Sequence, residues 1–165
     1  MSKFYALASG DKMQCRLCHH YCTIAPQQYG ICGVNRNSGN AVHCDVYGYP
    51  SALAVDPIEK KPFYHCIPGS KSFSLGTVGC NFHCSFCQNW QLSQNKTIEK
   101  GHYYAPSEIV ALAQDNGCES IAFTYNEPTI FYPYARDVAL HAKAQGLLTL
   151  FVTDGYESHE VIDDM

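Results

Sequence analysis

Residues 72–87 read SFSLGTVGCNFHCSFC, and the interpretation of the whole chain depends on this stretch. Residues 72–78 form an apolar approach to a glycine, which is typical of a short β-strand followed by a loop. The loop then carries Cys80, Cys84 and Cys87 in a CxxxCxxC spacing. Because α/β proteins place their chemistry on loops that follow the carboxyl ends of strands, three thiols at this position predict a metal-cluster loop.

Three cysteine ligands, rather than four, indicate a particular kind of cluster. A [4Fe–4S] cube has four irons, so three thiolates leave one iron open to bind and activate another molecule. The alternative is a helix, because offsets of four and three would place the thiols of inert core cysteines on one helix face. Gly76 and Gly79 before the cysteines, and Asn81 between them, favour a loop over that helix.

The run from Gly79 to Trp90, with an aromatic side chain at Phe86, resembles the cluster loop of radical S-adenosylmethionine (SAM) enzymes. The resemblance implies that Cys80, Cys84 and Cys87 hold a [4Fe–4S] cluster and that SAM binds the open iron through its amino and carboxylate groups. It also implies reductive cleavage of SAM to a 5′-deoxyadenosyl radical, which abstracts hydrogen from a substrate. Phe86 is then expected near the adenine of SAM, although an aromatic residue beside a cysteine is also ordinary packing.

A second stretch, DPIEKKPFYH at residues 56–65 with Pro-Gly-Ser at residues 68–70, is similar to a more specific group. It resembles the signature that precedes the cluster loop in radical SAM enzymes of the AmmeMemoRadiSam system. These enzymes are relatives of the pyruvate formate-lyase activating enzymes. The resemblance therefore implies a glycyl-radical-type activase, which takes hydrogen from a protein backbone or from a small molecule.

A third stretch, AFTYNEPT at residues 122–129, occupies the place of the GGE motif at the end of the second barrel strand of the superfamily. The resemblance implies that Asn126 and Glu127 help to hold the ammonium group of SAM. A carboxylate suits this role because it accepts hydrogen bonds from an ammonium. The alternative is an Asn-Glu-Pro turn with a solvated carboxylate, in which Pro128 starts a helix.

Beyond the cluster loop the chain alternates between helix and strand. The spacing of apolar residues predicts helices over 105–113 and 129–145, and strands over 120–125 and 147–152. Together with the strand before the cluster loop, the order is βαβαβ, which predicts a parallel sheet with converging strand ends. The fold class is therefore α/β, and the resemblance implies a partial (β/α) radical SAM barrel.

The end of the chain suggests that only the N-terminal half of that barrel is present. Thr153-Asp154-Gly155 is similar to the Thr-Asn-Gly turn of the family, with Asp154 where Asn is usual, and a plain strand-to-helix turn is the expected role. A helix capped by Ser158 begins shortly before Met165. We expect a truncated chain or one half of a split protein, with residues 147–152 as an unprotected apolar edge and no complete turnover in isolation.

The sequence divides at about residue 70 into a Cys-rich N-terminal region, 1–70, and a radical SAM core region, 71–165. The first region is predicted to be an irregular segment with short loops. Its cysteine spacing predicts a second metal site, which could hold zinc or an Fe–S cluster, while free thiols are the alternative. The candidate ligands of this second site are Cys15, Cys18, Cys22 and Cys32.

Composition limits the classes of partner. The chain has 11 basic and 15 acidic residues and a formal net charge of −4, and no basic run suggests a nucleic-acid partner. No apolar span has the length of a membrane helix. Ten cysteines in clustered spacings, without a signal peptide, indicate metal binding in a reducing compartment, so a cytoplasmic location is expected.

Two functions from different classes follow. The favoured one is a radical SAM enzyme whose partners are SAM, an electron donor such as flavodoxin or ferredoxin, and a substrate. The substrate is unknown, and a partner protein is one of the options. The alternative is a non-catalytic interaction module in which both groups of cysteines hold structural zinc.

Overall fold

The computed structural model describes residues 3–165. Its N-terminal part contains two small antiparallel sheets rather than the irregular segment that the sequence predicts. The strands are very short, two or three residues each, so the sequence carries little periodicity by which to recognise them. The first sheet has β1 (Tyr5–Leu7), β2 (Met13–Cys15) and β3 (Thr23–Ile24), and the second has β4 (Asn35–Asn37) and β5 (Val42–Cys44).

A four-stranded mixed sheet forms the centre of the structure. Its strands follow one another in chain order: β6 (Ala52–Pro57), β7 (Lys71–Gly76), β8 (Ser120–Phe123) and β9 (Leu148–Phe151). β6 is antiparallel to β7, whereas β7, β8 and β9 are parallel. The predicted α/β fold with a parallel sheet is therefore confirmed, and the sequence prediction missed only β6 in this sheet.

The helices connect the parallel strands and cover one face of the sheet. α1 (Trp90–Ser93) and α2 (Pro106–Asp115) lie between β7 and β8, and α3 (Tyr132–Ala144) lies between β8 and β9. α2 begins at a proline, and the Glu108 carboxylate accepts a hydrogen bond from the Ala105 N–H at 2.7 Å, which caps its first turn. The chain ends with α4 (His159–Ile162), and two 3-10 helices cover Ile58–Lys60 and Pro128–Phe131.

The main core lies between the sheet and helices α2 and α3. Phe73 and Leu75 of β7 and Ile121 and Phe123 of β8 point into it, and each is at most 5% exposed. The opposite face of the sheet is more polar. There, the segment after β6 folds back so that Ile58 packs against Ala122 and Leu150.

The sheet does not close. Among residues 3–165, β9 is bonded to β8 on one side only, and no barrel is formed. Leu148 of β9 is 45% exposed. A cavity of about 450 Å³ lies between β9 and α3. The expected partial barrel therefore remains a prediction, as does the domain boundary at residue 70. No helix in the described part of the chain is long and apolar enough to cross a membrane.

Candidate metal-cluster site

A cleft of about 900 Å³ lies at the carboxyl ends of the three parallel strands. The loops that follow β7, β8 and β9 all contribute to its walls, as the βαβαβ pattern predicts. The cysteine loop and residues 124–127 and 152–154 meet there, together with residues from the segment after β6. The lining residues are Lys60, Lys61, Pro62, Cys80, Phe82, Cys84, Phe86, Cys87, Gln88, Asn89, Ser93, Gln94, Thr124, Tyr125, Asn126, Glu127, Val152, Thr153 and Asp154.

The three loop cysteines border the same cleft but differ in environment. Cys80 is buried, and its sulfur accepts a hydrogen bond from the Phe82 N–H at 3.4 Å. The Cys87 sulfur lies 3.3 Å from the Ser93 hydroxyl, and the Cys87 N–H bonds the Cys84 carbonyl oxygen at 3.2 Å. Burial raises the pKa of Cys80, while the backbone N–H groups of Phe82 and Glu127 lower it.

Three thiols on one loop are the donor set that an iron–sulfur cluster takes from a protein. In residues 3–165, no group of three or more His, Cys, Asp or Glu side chains is already arranged to hold a metal ion, and this includes the three loop cysteines. Thiolates of a cube each bind a different iron, so they surround a volume rather than a point. N–H and hydroxyl groups beside the Cys80 and Cys87 sulfurs are of the kind that tunes cluster thiolates. By their chemistry the three thiols therefore suit a [4Fe–4S] group, and binding of the cluster remains a prediction.

Asn126 ties the end of β8 to the start of the cysteine loop. Its side-chain N–H₂ donates to the Gly79 carbonyl oxygen at 2.8 Å and to the Thr77 hydroxyl at 3.1 Å. Its side-chain oxygen accepts from the Thr77 N–H at 3.3 Å. The side chain is buried, and these contacts use its donors and its acceptor, so Asn126 positions the loop in the structure. Contact of Asn126 with SAM remains a prediction.

The Glu127 carboxylate also accepts its hydrogen bonds from groups of the protein. The residue is 2% exposed, and its carboxylate accepts from the Thr129 N–H at 3.1 Å and from the Thr129 hydroxyl. It also accepts from the Thr153 hydroxyl at 2.9 Å and from the Asp154 N–H at 2.7 Å, so one carboxylate joins the ends of β8 and β9. Burial raises its pKa, opposed by these hydrogen bonds. Its predicted role toward the SAM ammonium group remains a prediction.

The N-terminal region supports the cysteine loop from behind. Gly79 has φ +83°, and a Cβ atom at that position would lie 2.5 Å from the Cys32 carbonyl oxygen and 2.7 Å from Val34. Only glycine accepts both the backbone conformation and this close approach. His20 Nε2 contacts the Asn81 carbonyl oxygen at 3.0 Å. The cysteine loop is therefore held by contacts from both regions of the chain.

Phe86 projects from the loop at the mouth of the cleft. It is 87% exposed, and Trp90 is 60% exposed beside it in sequence. A large exposed ring next to three thiols is consistent with a surface on which an aromatic ligand could stack. The expected contact of Phe86 with adenine remains a prediction.

The cysteines of the predicted second site are not gathered around one point in the structure. Cys15, Cys18 and Cys32 are buried and Cys22 is half-buried. Burial, with a smaller effect from the neighbouring thiols, raises the pKa of Cys15 and raises that of Cys18 to about 11. These thiols are thus near one another but not in a ligand arrangement, and their metal binding remains a prediction.

Sequence reasoning missed three residues that line the cleft or support its wall. Tyr125 has φ +73°, and Asn89 holds its carbonyl oxygen with a 3.0 Å hydrogen bond. Lys61 is only 5% exposed although it is a lysine. The buried charge of Lys61 depends on a partner in another element, Asp56, so residue spacing alone could not reveal it.

Two comparisons bear on the family. The model of the radical SAM superfamily matches residues 74–165, which is more than half of the chain. An uncharacterized protein of Methanocaldococcus jannaschii is 36% identical over 158 residues, covering 95% of this chain and 47% of that protein. The chain thus spans about half the length of that curated relative, and no solved structure matches it. The chain belongs to the radical SAM superfamily.

Proposed function

We propose that the chain is the cluster-binding part of a radical SAM enzyme that forms a 5′-deoxyadenosyl radical for hydrogen abstraction. The observation that carries the proposal is the convergence of Cys80, Cys84 and Cys87 with the ends of β8 and β9 on one cleft. When bound, a [4Fe–4S] cluster would supply the electron that cleaves SAM. The membership of the chain in the superfamily supports the same chemistry.

The residues of the chain have distinct tasks in this proposal. Cys80, Cys84 and Cys87 hold the cluster and leave one iron to SAM. Asn126 holds the cysteine loop against β8, and Glu127 keeps the ends of β8 and β9 together. Phe86 offers an apolar face to the adenine. Such fixed positions matter because a displacement of about 1 Å at a reacting centre costs roughly 10²-fold in rate.

We also propose the finer relationship to radical SAM enzymes of the AmmeMemoRadiSam system and to pyruvate formate-lyase activating enzymes. It is supported by the similarity of residues 56–65 and 68–70 to their signature. An oxidoreductase-type activase would take its electron from flavodoxin or ferredoxin and its hydrogen from a protein or a small molecule. A second metal, zinc or an Fe–S cluster, on the N-terminal cysteines belongs to the same proposal.

The sheet is proposed to continue beyond β9 into a partial barrel. β9 leaves its outer edge without a strand among residues 3–165, and Leu140 and Leu148 are 54% and 45% exposed beside the cavity. A further parallel strand and helix would cover both. The greater length of the curated relative supports this, since about half of it lies outside the matched region.

Anaerobic reconstitution with iron and sulfide, followed by reduction in the presence of SAM, tests the proposal. We expect four irons per chain bound by the three loop cysteines, and formation of 5′-deoxyadenosine once the rest of the barrel is supplied. The triple variant with Ala at Cys80, Cys84 and Cys87 should lose both. The matched control replaces Cys118, a buried cysteine outside the cleft, with Ala and should keep both. Zinc binding without iron would contradict the proposal.

A further inference from the structure

The segment after β6 places two lysines on the wall of the cleft. Lys60 and Lys61 both line the cleft, as does Asp154, which follows β9. Lys60 is largely exposed, with 64% of its side chain accessible, whereas only 4% of the Lys61 side chain is accessible. A lysine is rarely buried unless its ammonium group is paired, since the charge loses its hydration.

Both lysines share one carboxylate. Asp56 Oδ1 accepts from Lys60 Nζ at 2.7 Å, and Asp56 Oδ2 accepts from Lys61 Nζ at 2.8 Å. No other carboxylate in residues 3–165 forms an ion pair with either lysine. Two ammonium groups against one carboxylate leave one unit of positive charge within this group of three side chains. The carboxylates of Glu127 and Asp154 line the same cleft, and that of Glu127 is already engaged by protein donors.

Tyr125 fixes the position of the buried lysine. The Lys61 Nζ lies 4.6 Å from the centroid of the Tyr125 ring, and the Tyr125 hydroxyl lies 3.3 Å from Asp56 Oδ2. The left-handed backbone of Tyr125, φ +73°, is strained for an aromatic residue, and such strain clusters at functional sites. One N–H of the Lys61 ammonium is used by Asp56 and one side faces the ring, so donor capacity remains.

A serine on the strand next to Asp56 has spare hydrogen-bonding capacity, although it does not line the cleft. Ser72 is paired with Asp56 across β6 and β7, so both side chains project from the same face of the sheet. The Ser72 hydroxyl is fully buried and has no hydrogen-bond partner within the described residues. This hydroxyl therefore takes no part in the contacts among Asp56, Lys60, Lys61 and Tyr125.

We propose that Lys61, assisted by Lys60, binds an oxyanion of the substrate, either a carboxylate or a phosphate group. The proposal rests on the proposed function and names the substrate class of the same cleft. The excess positive charge attracts an anion, the low exposure of Lys61 strengthens the attraction, and the Tyr125 ring holds the ammonium in place. The three thiols line the same cleft, so a substrate held by its anionic group would lie in the cleft that also carries the proposed cluster ligands.

Calorimetric titration of the anaerobically reconstituted protein tests the proposal. Phosphate is the probe in one arm and acetate in the other, each at constant ionic strength. We expect saturable binding of one of them and a loss of about tenfold or more in affinity for Lys61→Met. Lys61→Arg should retain measurable binding. The matched control is Lys12→Met, an exposed lysine outside the cleft, which should bind like the unmodified chain.

Circular dichroism and cluster absorbance show that each variant is folded and loaded. Equal affinities of the unmodified chain and Lys61→Met, or no saturable binding of either probe, would overturn the proposal. So would an equal loss of SAM affinity in Lys61→Met, because the lysine would then serve SAM rather than the substrate. The titration requires no turnover, so a failure of SAM cleavage and a failure of anion binding are separate results.

Discussion

Glu127 offers a direct way to separate a structural role from a ligand role. Its carboxylate accepts hydrogen bonds from two backbone N–H groups, those of Thr129 and Asp154, and from two threonine hydroxyls. Replacing it with Ala leaves both N–H groups without their acceptor. The threonine hydroxyls can rotate to other partners, so the backbone groups dominate the cost.

The magnitude follows from those contacts. Each buried donor that loses its partner costs roughly 1–3 kcal/mol, and the bond from the Thr129 N–H is also the cap of the 3-10 helix, so the cap adds no separate cost. For the two backbone donors we therefore expect Glu127→Ala to lower the free energy of unfolding by about 2–6 kcal/mol. For a chain of this size that corresponds to a fall in Tm of roughly 4–24 °C, at about 2–4 °C per kcal/mol.

The assay is urea or thermal unfolding of the protein without SAM, followed by circular dichroism. The matched control is Glu99→Ala, since Glu99 is exposed and its carboxylate makes no hydrogen bond within the described residues. A residue that serves only to bind SAM would leave the unfolding of the SAM-free protein unchanged. A cost below about 0.5 kcal/mol, the usual range of a surface substitution, would therefore refute the structural role of Glu127.

Three further predictions concern other parts of the fold. Gly79→Ala should destabilise the protein by more than Gly69→Ala in urea unfolding, because both glycines have positive φ but only Gly79 abuts a backbone carbonyl; equal losses would contradict the close approach. Burial raises the pKa of Asp56, but hydrogen bonds from its lysine partners outweigh this and lower it from 3.8 to about 2. Its contribution to the free energy of unfolding should therefore be present above pH 4 and lost between about pH 4 and pH 2. In Asp56→Asn, the free energy of unfolding should no longer show this loss between about pH 4 and pH 2. The exposed edge of β9 should make the chain self-associate in sedimentation experiments, and Leu148→Glu should reduce that association without lowering Tm; association that is equal in both would contradict a contact through this edge.

The elements that could be predicted from the sequence are those with strong local patterns. β8 and β9 are short apolar runs, and α2 has a proline at its start and apolar residues at helical spacing. The helix predicted over 129–145 is divided in the structure. Its first turn is the 3-10 helix Pro128–Phe131, and α3 begins at Tyr132.

The elements that the sequence did not reveal depend on distant contacts. β6 ends in Asp-Pro, both uncommon in strands, and its pairing with β7 crosses a connection of 13 residues. The N-terminal strands are too short to show a period of two.

In the candidate site, too, residues in a local pattern could be predicted, whereas roles that depend on distant contacts could not. The CxxxCxxC spacing is local, so Cys80, Cys84 and Cys87 could be named from sequence. The partners of Asn126 and Glu127 lie 26 to 49 residues away, apart from Thr129, and no local pattern indicates that these side chains tie strand ends together. The ion pair of Asp56 with Lys61 is close in sequence, but its place on the wall of the cleft is a product of the fold.

Electron paramagnetic resonance of the reduced, anaerobically reconstituted protein, with and without SAM, tests the central claim most directly. We predict the signal of a [4Fe–4S] cluster whose shape changes when SAM is added, because one iron carries no protein ligand. Cys84→Ser should lose the signal, and the control Cys118→Ser should keep it. A cluster that does not respond to SAM, or that persists in Cys84→Ser, would contradict the assignment of three cysteine ligands and one open iron.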